Sequence, residues 1–312
     1  MSATSEAGTG SAAADIYGPV GRSPWLDIDW REHQRWMNVD GQTVNTIELG
    51  GEHGKTKQTL VFVHGLSGCW GNWLEQLPVF ATEHRVIAID LPGFGASPLG
   101  SEEISMAGYA RLLDHLLGEL SVDAATVVGN SMGGFVAAEL AISAPQRVER
   151  LVLVSAAGIS THRNRGATRA LPAMRRLERL LAMTGTWAAT KSDAVANRAR
   201  LRNAALNLVA SHPSRLPAAL AAEQIRGAGK PGFVPALAAI LDYPVRERLV
   251  EIACPTLIVW GEDDHVIPVR DADVFAELIP NSRKVVFQDT GHVPMLERPA
   301  AFNALLRDFL AE

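Results

Sequence analysis

Four short segments of this 312-residue chain carry groups that could cooperate in acyl transfer. The first is Gly129-Asn130-Ser131-Met132-Gly133-Gly134, directly after an apolar run ending at Val128. Glycines two residues either side of a serine fit a sharp turn from strand to helix, where side chains would crowd the tight backbone. Such a turn lifts the hydroxyl above the sheet, at the start of the following helix. Free N–H groups and the helix dipole there favour developing negative charge.

A serine hydroxyl is a weak nucleophile until a neighbouring base takes its proton. Of nine histidines, His292 suits that role best, in Thr290-Gly291-His292-Val293-Pro294 just past the last apolar run. His33, His53, His84, His115, His162 and His212 fall in expected surface loops, cap helices or helix flanks, and His64 ends a strand. His265 adjoins an acidic pair and reads as a neighbour in that turn.

The imidazole needs an acid to fix its tautomer and stabilise the imidazolium. Trp260 to Pro268 offers Glu262, Asp263 and Asp264 in succession. Three carboxylates in one pocket would repel, so one is expected to face inward while the others stay solvated; periodicity does not choose among them. A metal site of Asp263, Asp264 and His265 lacks supporting ligand spacing, and neither metal nor organic cofactor is expected. The fourth segment is His64-Gly65-Leu66-Ser67-Gly68. Its glycines let the Leu66 N–H point at the nucleophile, where with the N–H of Met132 it would hold an oxyanion.

The elements that must position these groups are legible as hydrophobic patterns. Two alternating segments, His33–Val39 and Thr43–Leu49, flank Asp40-Gly41, a strong hairpin signal. Solid apolar runs follow at 59–63, 85–89, 125–128, 151–154, 256–260 and 284–287. Runs apolar on both faces suit parallel strands covered by helices. Helical stretches such as Ala107–Leu120 and Met132–Ala144 lie between them. The expected fold is α/β, a mostly parallel sheet with helices on both faces and an antiparallel hairpin at its start.

The alternation lapses between residues 160 and 250, which read as a helical cap; residues 25–159 and 251–312 form the core, and 1–24 a flexible N-terminal arm. The cap stretch holds 15 Lys and Arg against 5 Asp and Glu, leaving 14 and 29 elsewhere in a chain of net charge -5. It reads either as a solvated helical face or as a lid drawn to anionic interfaces or acidic substrates. Leu171-Pro-Ala-Met174, Leu177 and Leu180-Leu181 put apolar groups at helical spacing between arginines. A pI near 6.0 argues against nucleic acid as a partner. No apolar run reaches membrane-span length, and no signal peptide is visible, so a cytoplasmic setting is the default expectation. Cys69 and Cys254 read as reduced, small side chains.

Together these segments resemble the α/β-hydrolase family from about Arg35 to the C-terminus. The carrying motifs are His64-Gly65, Asp90-Leu-Pro-Gly-Phe-Gly-Ala-Ser97, the Gly129–Gly133 elbow, Gly261-Glu-Asp-Asp264 with Pro268, and Gly291-His292. The order Ser, Asp, His along the chain is that family's order. The resemblance selects Asp264, three residues after its glycine, as the acid. It implies a Ser131–His292–Asp264 triad, with Leu66 and Met132 as oxyanion donors, cleaving a small-molecule carboxylic ester, lipid-like substrates included, through an acyl-enzyme. Ser131 stands where haloalkane dehalogenases and epoxide hydrolases of this fold carry aspartate, which disfavours those activities. Val293 stands where meta-cleavage C–C hydrolases tend to have tryptophan, which weakens that reading. The elbow and Ser155-Ala-Ala-Gly158 look most like bacterial esterases and monoacylglycerol-lipase-like enzymes. A C–C hydrolase or perhydrolase using the same triad is the alternative, and a non-catalytic binding protein on this fold the remote one.

Overall fold

The structure, a computed structural model, describes residues 16–51, 58–161, 187 and 189–312. His53, His162 and the Leu171–Leu181 stretch lie outside the described residues, as do residues 1–15 of the expected arm.

Eight strands form one sheet, β1 (Gln34–Val39), β2 (Gln42–Leu49), β3 (Thr59–Val63), β4 (Arg85–Ile89), β5 (Ala125–Asn130), β6 (Val148–Val154), β7 (Thr256–Gly261) and β8 (Ser282–Phe287). Their order is β1-β2-β4-β3-β5-β6-β7-β8. The β1–β2 and β2–β4 pairs are antiparallel and every later pair is parallel. The opening hairpin turns at Asp40 (φ 52°) and Gly41 (φ 79°). Two positive φ values are what a two-residue loop needs to match the strand twist.

The solid apolar runs are explained by burial on both faces. Successive strand side chains point oppositely. In β3, Val61 and Val63 pack with Leu113, Phe135 and Leu140 on one side. Leu60 and Phe62 pack with Trp73, Leu77 and Phe302 on the other. Helices Met106–Glu119 and Met132–Ser143 thus cover one face, and segments 70–80 and 299–311 the other. Because β3 lies between β4 and β5, the chain reverses its direction of travel across the sheet there. The coverings of β3 and β5 diverge to opposite faces, so the C-terminal ends of these strands mark the switch point above which ligands of such sheets bind.

Between β6 and β7 the described residues contain helices Ser192–Ala196, Ala199–Leu206, Ala218–Arg226 and Phe233–Asp242 and no strand. They share a small core of Val195, Ala196, Leu206, Ala221, Ala222 and Ile225. The Gly232 N–H donates to Gly93 O at 2.9 Å. Gln224 exchanges hydrogen bonds with Asn72 and the Gly71 carbonyl. These helices are thereby fastened to the segments that follow β3 and β4.

The packed chain starts earlier than the expected arm boundary at residue 24. Tyr17 and Ser23 are buried, and Ser23 Oγ donates to Glu75 at 2.7 Å. The Gly18 N–H donates to Glu297 O at 2.6 Å. Specific polar anchors, rather than an apolar run, order this segment, so hydrophobic pattern gave no sign of it.

Candidate active site

Ser131 stands between β5 and helix Met132–Ser143 with φ 54° and ψ −116°. That is the first central position of a type II′ turn, normally a glycine's. The surrounding glycines are sterically required. A Cβ on Gly129 would lie 2.2 Å from Gly133 O, and one on Gly133 2.2 Å from Val63 O. The Ser131 N–H donates to Val154 O at 2.9 Å, and its carbonyl accepts from Ala157 and Phe135. The turn is held by β6 as well as by its own helix.

The three carboxylates after β7 separate as electrostatics requires. Glu262 and Asp263 are exposed, as is His265, whereas Asp264 is buried. The chain brings Asp264 Oδ2 within 2.8 Å of His292 Nδ1. Asp264 Oδ1 accepts from the Val266 and Ile267 N–H groups at 2.8 and 2.9 Å. With both oxygens committed, the carboxylate is fixed in place. A Cβ on Gly261 would lie 2.0 Å from Gly291 O, so this glycine lets the two loops meet. Asp263 and His265 are exposed while Asp264 is buried, and among the described residues no group of three or more His, Cys, Asp or Glu side chains is gathered as metal ligands.

His292 sits beside the serine turn. The side-chain amide of Asn130, the residue before Ser131, donates to His292 O at 3.2 Å and to Val154 O at 3.1 Å. The turn after β3 abuts the same point. Gly68 N–H closes it on Gly65 O at 2.9 Å, and a Cβ on Gly65 would lie 3.0 Å from Ser131 Cβ. Leu66 and Met132, the expected oxyanion donors, therefore lie on the two segments flanking Ser131. Met132 opens its helix, where the first N–H groups have no intrahelical acceptor.

His64 and Asp90 brace this turn from below. Leu91 N–H donates to His64 Nε2 at 3.0 Å, so the ring proton is on Nδ1 and is donated to Gly65 O at 2.8 Å. The fully buried Asp90 accepts from Trp70 N–H, Ala96 N–H and Asn45 Nδ2 at 2.7–2.8 Å. Burial holds the His64 pKa below its usual 6.5, against the opposing charge of Asp90. The unfolded chain takes up this proton near 6.5 and the native chain does not, so stability is lost as pH falls below that value. We expect the melting temperature to drop between pH 7.5 and 5.5, and to drop less in His64→Gln. Equal slopes in the two proteins would remove His64 as the source.

Two of the histidines expected as bystanders pair with carboxylates other than Asp264. His212 pairs with Asp289 and His115 with Asp40, both partly solvent-exposed. Cys69 and Cys254 are unpaired. Burial and the nearby Asp90 push the Cys69 thiol up to about 12, far from a reactive thiolate. Sequence reasoning missed Asn130 and Glu297 as supports of the His292 loop. Asn130 was visible only as a variable residue of the elbow, and Glu297 as one more acidic residue near the C-terminus.

The family model described as alpha/beta hydrolase fold matches residues 58–299. The 2-hydroxymuconate semialdehyde hydrolase of Pseudomonas sp. strain CF600 is 32% identical, over 81% of this chain and 87% of the relative. The dihydrolipoyllysine-residue acetyltransferase component of the acetoin cleaving system of Cupriavidus necator is also 32% identical, over 88% of this chain and 68% of the relative. Among solved structures, Est816, described as an N-acyl homoserine lactone degrading enzyme, superposes with a TM-score of 0.66 at 27% identity, covering 88% of this chain and 100% of that one.

Proposed function

This chain belongs to the alpha/beta hydrolase fold family, and from that premise we propose that it is a serine hydrolase that attacks a small-molecule carbonyl substrate. The observation that carries the proposal is the buried Asp264–His292 pair held against the Ser131 turn. In the proposed reaction His292 takes the Ser131 proton as Oγ attacks the carbonyl carbon. The N–H groups of Leu66 and Met132 stabilise the oxyanion, in the arrangement where one donor contributes about 3 kcal/mol to the barrier. His292 then returns the proton to the leaving group, and later draws one from water to release the acid. Asp264 stays ionised throughout and holds the imidazole in the productive tautomer. In this reading the helices between Ser192 and Asp242 form part of a cap over the C-terminal edge of the sheet.

A carboxylic ester is the substrate that asks least of this machinery, because an alkoxide is a less basic and better leaving group than a carbanion. A second reading is favoured by the relative at 32% identity named for 2-hydroxymuconate semialdehyde. That compound contains no ester, so its hydrolysis must break a carbon–carbon bond, with the departing carbon protonated instead of an oxygen. Both readings share every residue above, and they part only at the leaving group.

The test is hydrolysis of p-nitrophenyl esters from acetate to palmitate beside 2-hydroxymuconate semialdehyde. We expect turnover on at least one class. Efficient cleavage of the semialdehyde with weak ester turnover selects the carbon–carbon reading; the reverse selects the esterase. Folded protein inert to both classes, and unlabelled by a fluorophosphonate, would overturn the serine-hydrolase proposal.

A further inference from the structure

We propose that Glu297 is a positioning residue that fixes the place of His292, with Tyr17 completing its hydrogen-bond shell; the proposal rests on His292 being the base assigned above. Glu297 is fully buried. Its Oε2 accepts from Tyr17 OH at 2.7 Å and from Ser211 N–H at 2.8 Å. The Gly291 N–H lies 2.9 and 3.0 Å from the two carboxylate oxygens, and the Val293 N–H donates to Oε1 at 3.3 Å. The backbone on both sides of His292 thus hangs from one carboxylate.

The histidine's own main chain is held by two further elements. Its N–H donates to Val209 O at 2.9 Å, and its carbonyl receives the Asn130 amide. A Cβ on Gly291 would meet Ser211 N and Val209 O at 3.0 Å, so the glycine lets the loop pack closely on the segment 209–211. Each group reaching Glu297 is a donor, so the site calls for a carboxylate. Glutamine would turn an NH2 toward N–H groups. Tyr17 also accepts the His212 N–H at 2.9 Å. Arg215 and Arg298 stack over its ring at 4.6 and 5.2 Å, lending positive charge to the buried anion's surroundings. The first described residues, the segment 209–212 and the His292 loop therefore converge on one node. Its function is to keep the imidazole aimed between Asp264 and Ser131, and loss of that aim costs rate rather than substrate affinity.

The test compares wild type, Glu297→Gln and Tyr17→Phe by steady-state kinetics, fluorophosphonate labelling of Ser131, and the low-field proton resonance of the His292–Asp264 hydrogen bond. We expect Glu297→Gln to lower kcat and the labelling rate by about 30-fold, with KM changed by no more than about twofold. Its low-field resonance should broaden or vanish, which a merely structural role elsewhere in the fold would not cause. Tyr17→Phe, which removes one donor and leaves the carboxylate, should give a smaller loss of about threefold. Wild-type labelling and an unchanged resonance in Glu297→Gln would overturn the proposal. If Glu297→Gln does not fold, an unchanged labelling rate and resonance in Tyr17→Phe overturn it equally. If wild type is neither labelled nor active on either substrate class, the serine-hydrolase reading fails, and the resonance alone decides whether Glu297 fixes His292.

Discussion

We expect Ser131→Ala to lower kcat on whichever substrate proves active by on the order of 10⁵-fold, to the residual rate left by binding and oxyanion contacts. Fluorophosphonate labelling, which needs the activated hydroxyl, is lost with it. The effect is this large because no other nucleophile on the turn can replace Oγ, and His292 without it has only water to activate. A companion variant separates chemistry from strain. Ser131 holds φ 54° and ψ −116°, a conformation that L side chains adopt at a cost of roughly 1–3 kcal/mol. Ser131→Gly relieves that cost but adds flexibility to the unfolded chain, so it should be more stable than Ser131→Ala by about 1 kcal/mol while equally inactive. Thermal unfolding of the two variants reads this directly. Ser131→Gly less stable than Ser131→Ala, by the roughly 0.5–1 kcal/mol that glycine costs through the unfolded chain, would mean the elbow stores no strain, and an active Ser131→Ala would remove the nucleophile assignment altogether.

Asp264→Asn should cost about 10⁴-fold in kcat, with little change in stability. The contacts of Asp264 explain the size of the loss. Its Oδ1 accepts two backbone N–H groups, from Val266 and Ile267, and its Oδ2 faces His292 Nδ1. An asparagine in the same rotamer must keep its carbonyl oxygen on the two N–H donors, which leaves its NH2 facing the imidazole. Nδ1 then becomes an acceptor and the ring proton moves to Nε2, the nitrogen that should receive the Ser131 proton. The geometry survives while the base is held in the wrong tautomer. Kinetics together with the ring-nitrogen chemical shifts of labelled His292 check both halves. A variant retaining wild-type kcat would eliminate Asp264 as the orienting acid.

Much of this architecture was legible in the chain because local physics decides it. The hairpin turns where Asp40-Gly41 permits two positive φ values. The runs at 59–63 and 125–128 are apolar throughout because both of their faces are covered. Gly129 and Gly133 frame Ser131 because a Cβ on either would collide with backbone. These are interactions over a few residues, and residue type records them. The choice among Glu262, Asp263 and Asp264 was not of this kind. It came from resemblance, and in the structure it depends on the approach of the β8–His292 loop, 28 residues further along. The same limit hid the anchored segment at Tyr17, whose partner Glu297 is 280 residues away. It hid as well the tie between Asn130 and the His292 carbonyl, across 162 residues. Single polar side chains carry no periodicity, and a lone Tyr, Asn or Glu looks alike whether solvated or buried against a distant loop. The sequence alone therefore determined the sheet, the elbow and the candidate nucleophile and base. Tertiary structure decided which carboxylate meets the imidazole and what holds that imidazole still, because those contacts exist only once distant loops are brought to one edge of the sheet.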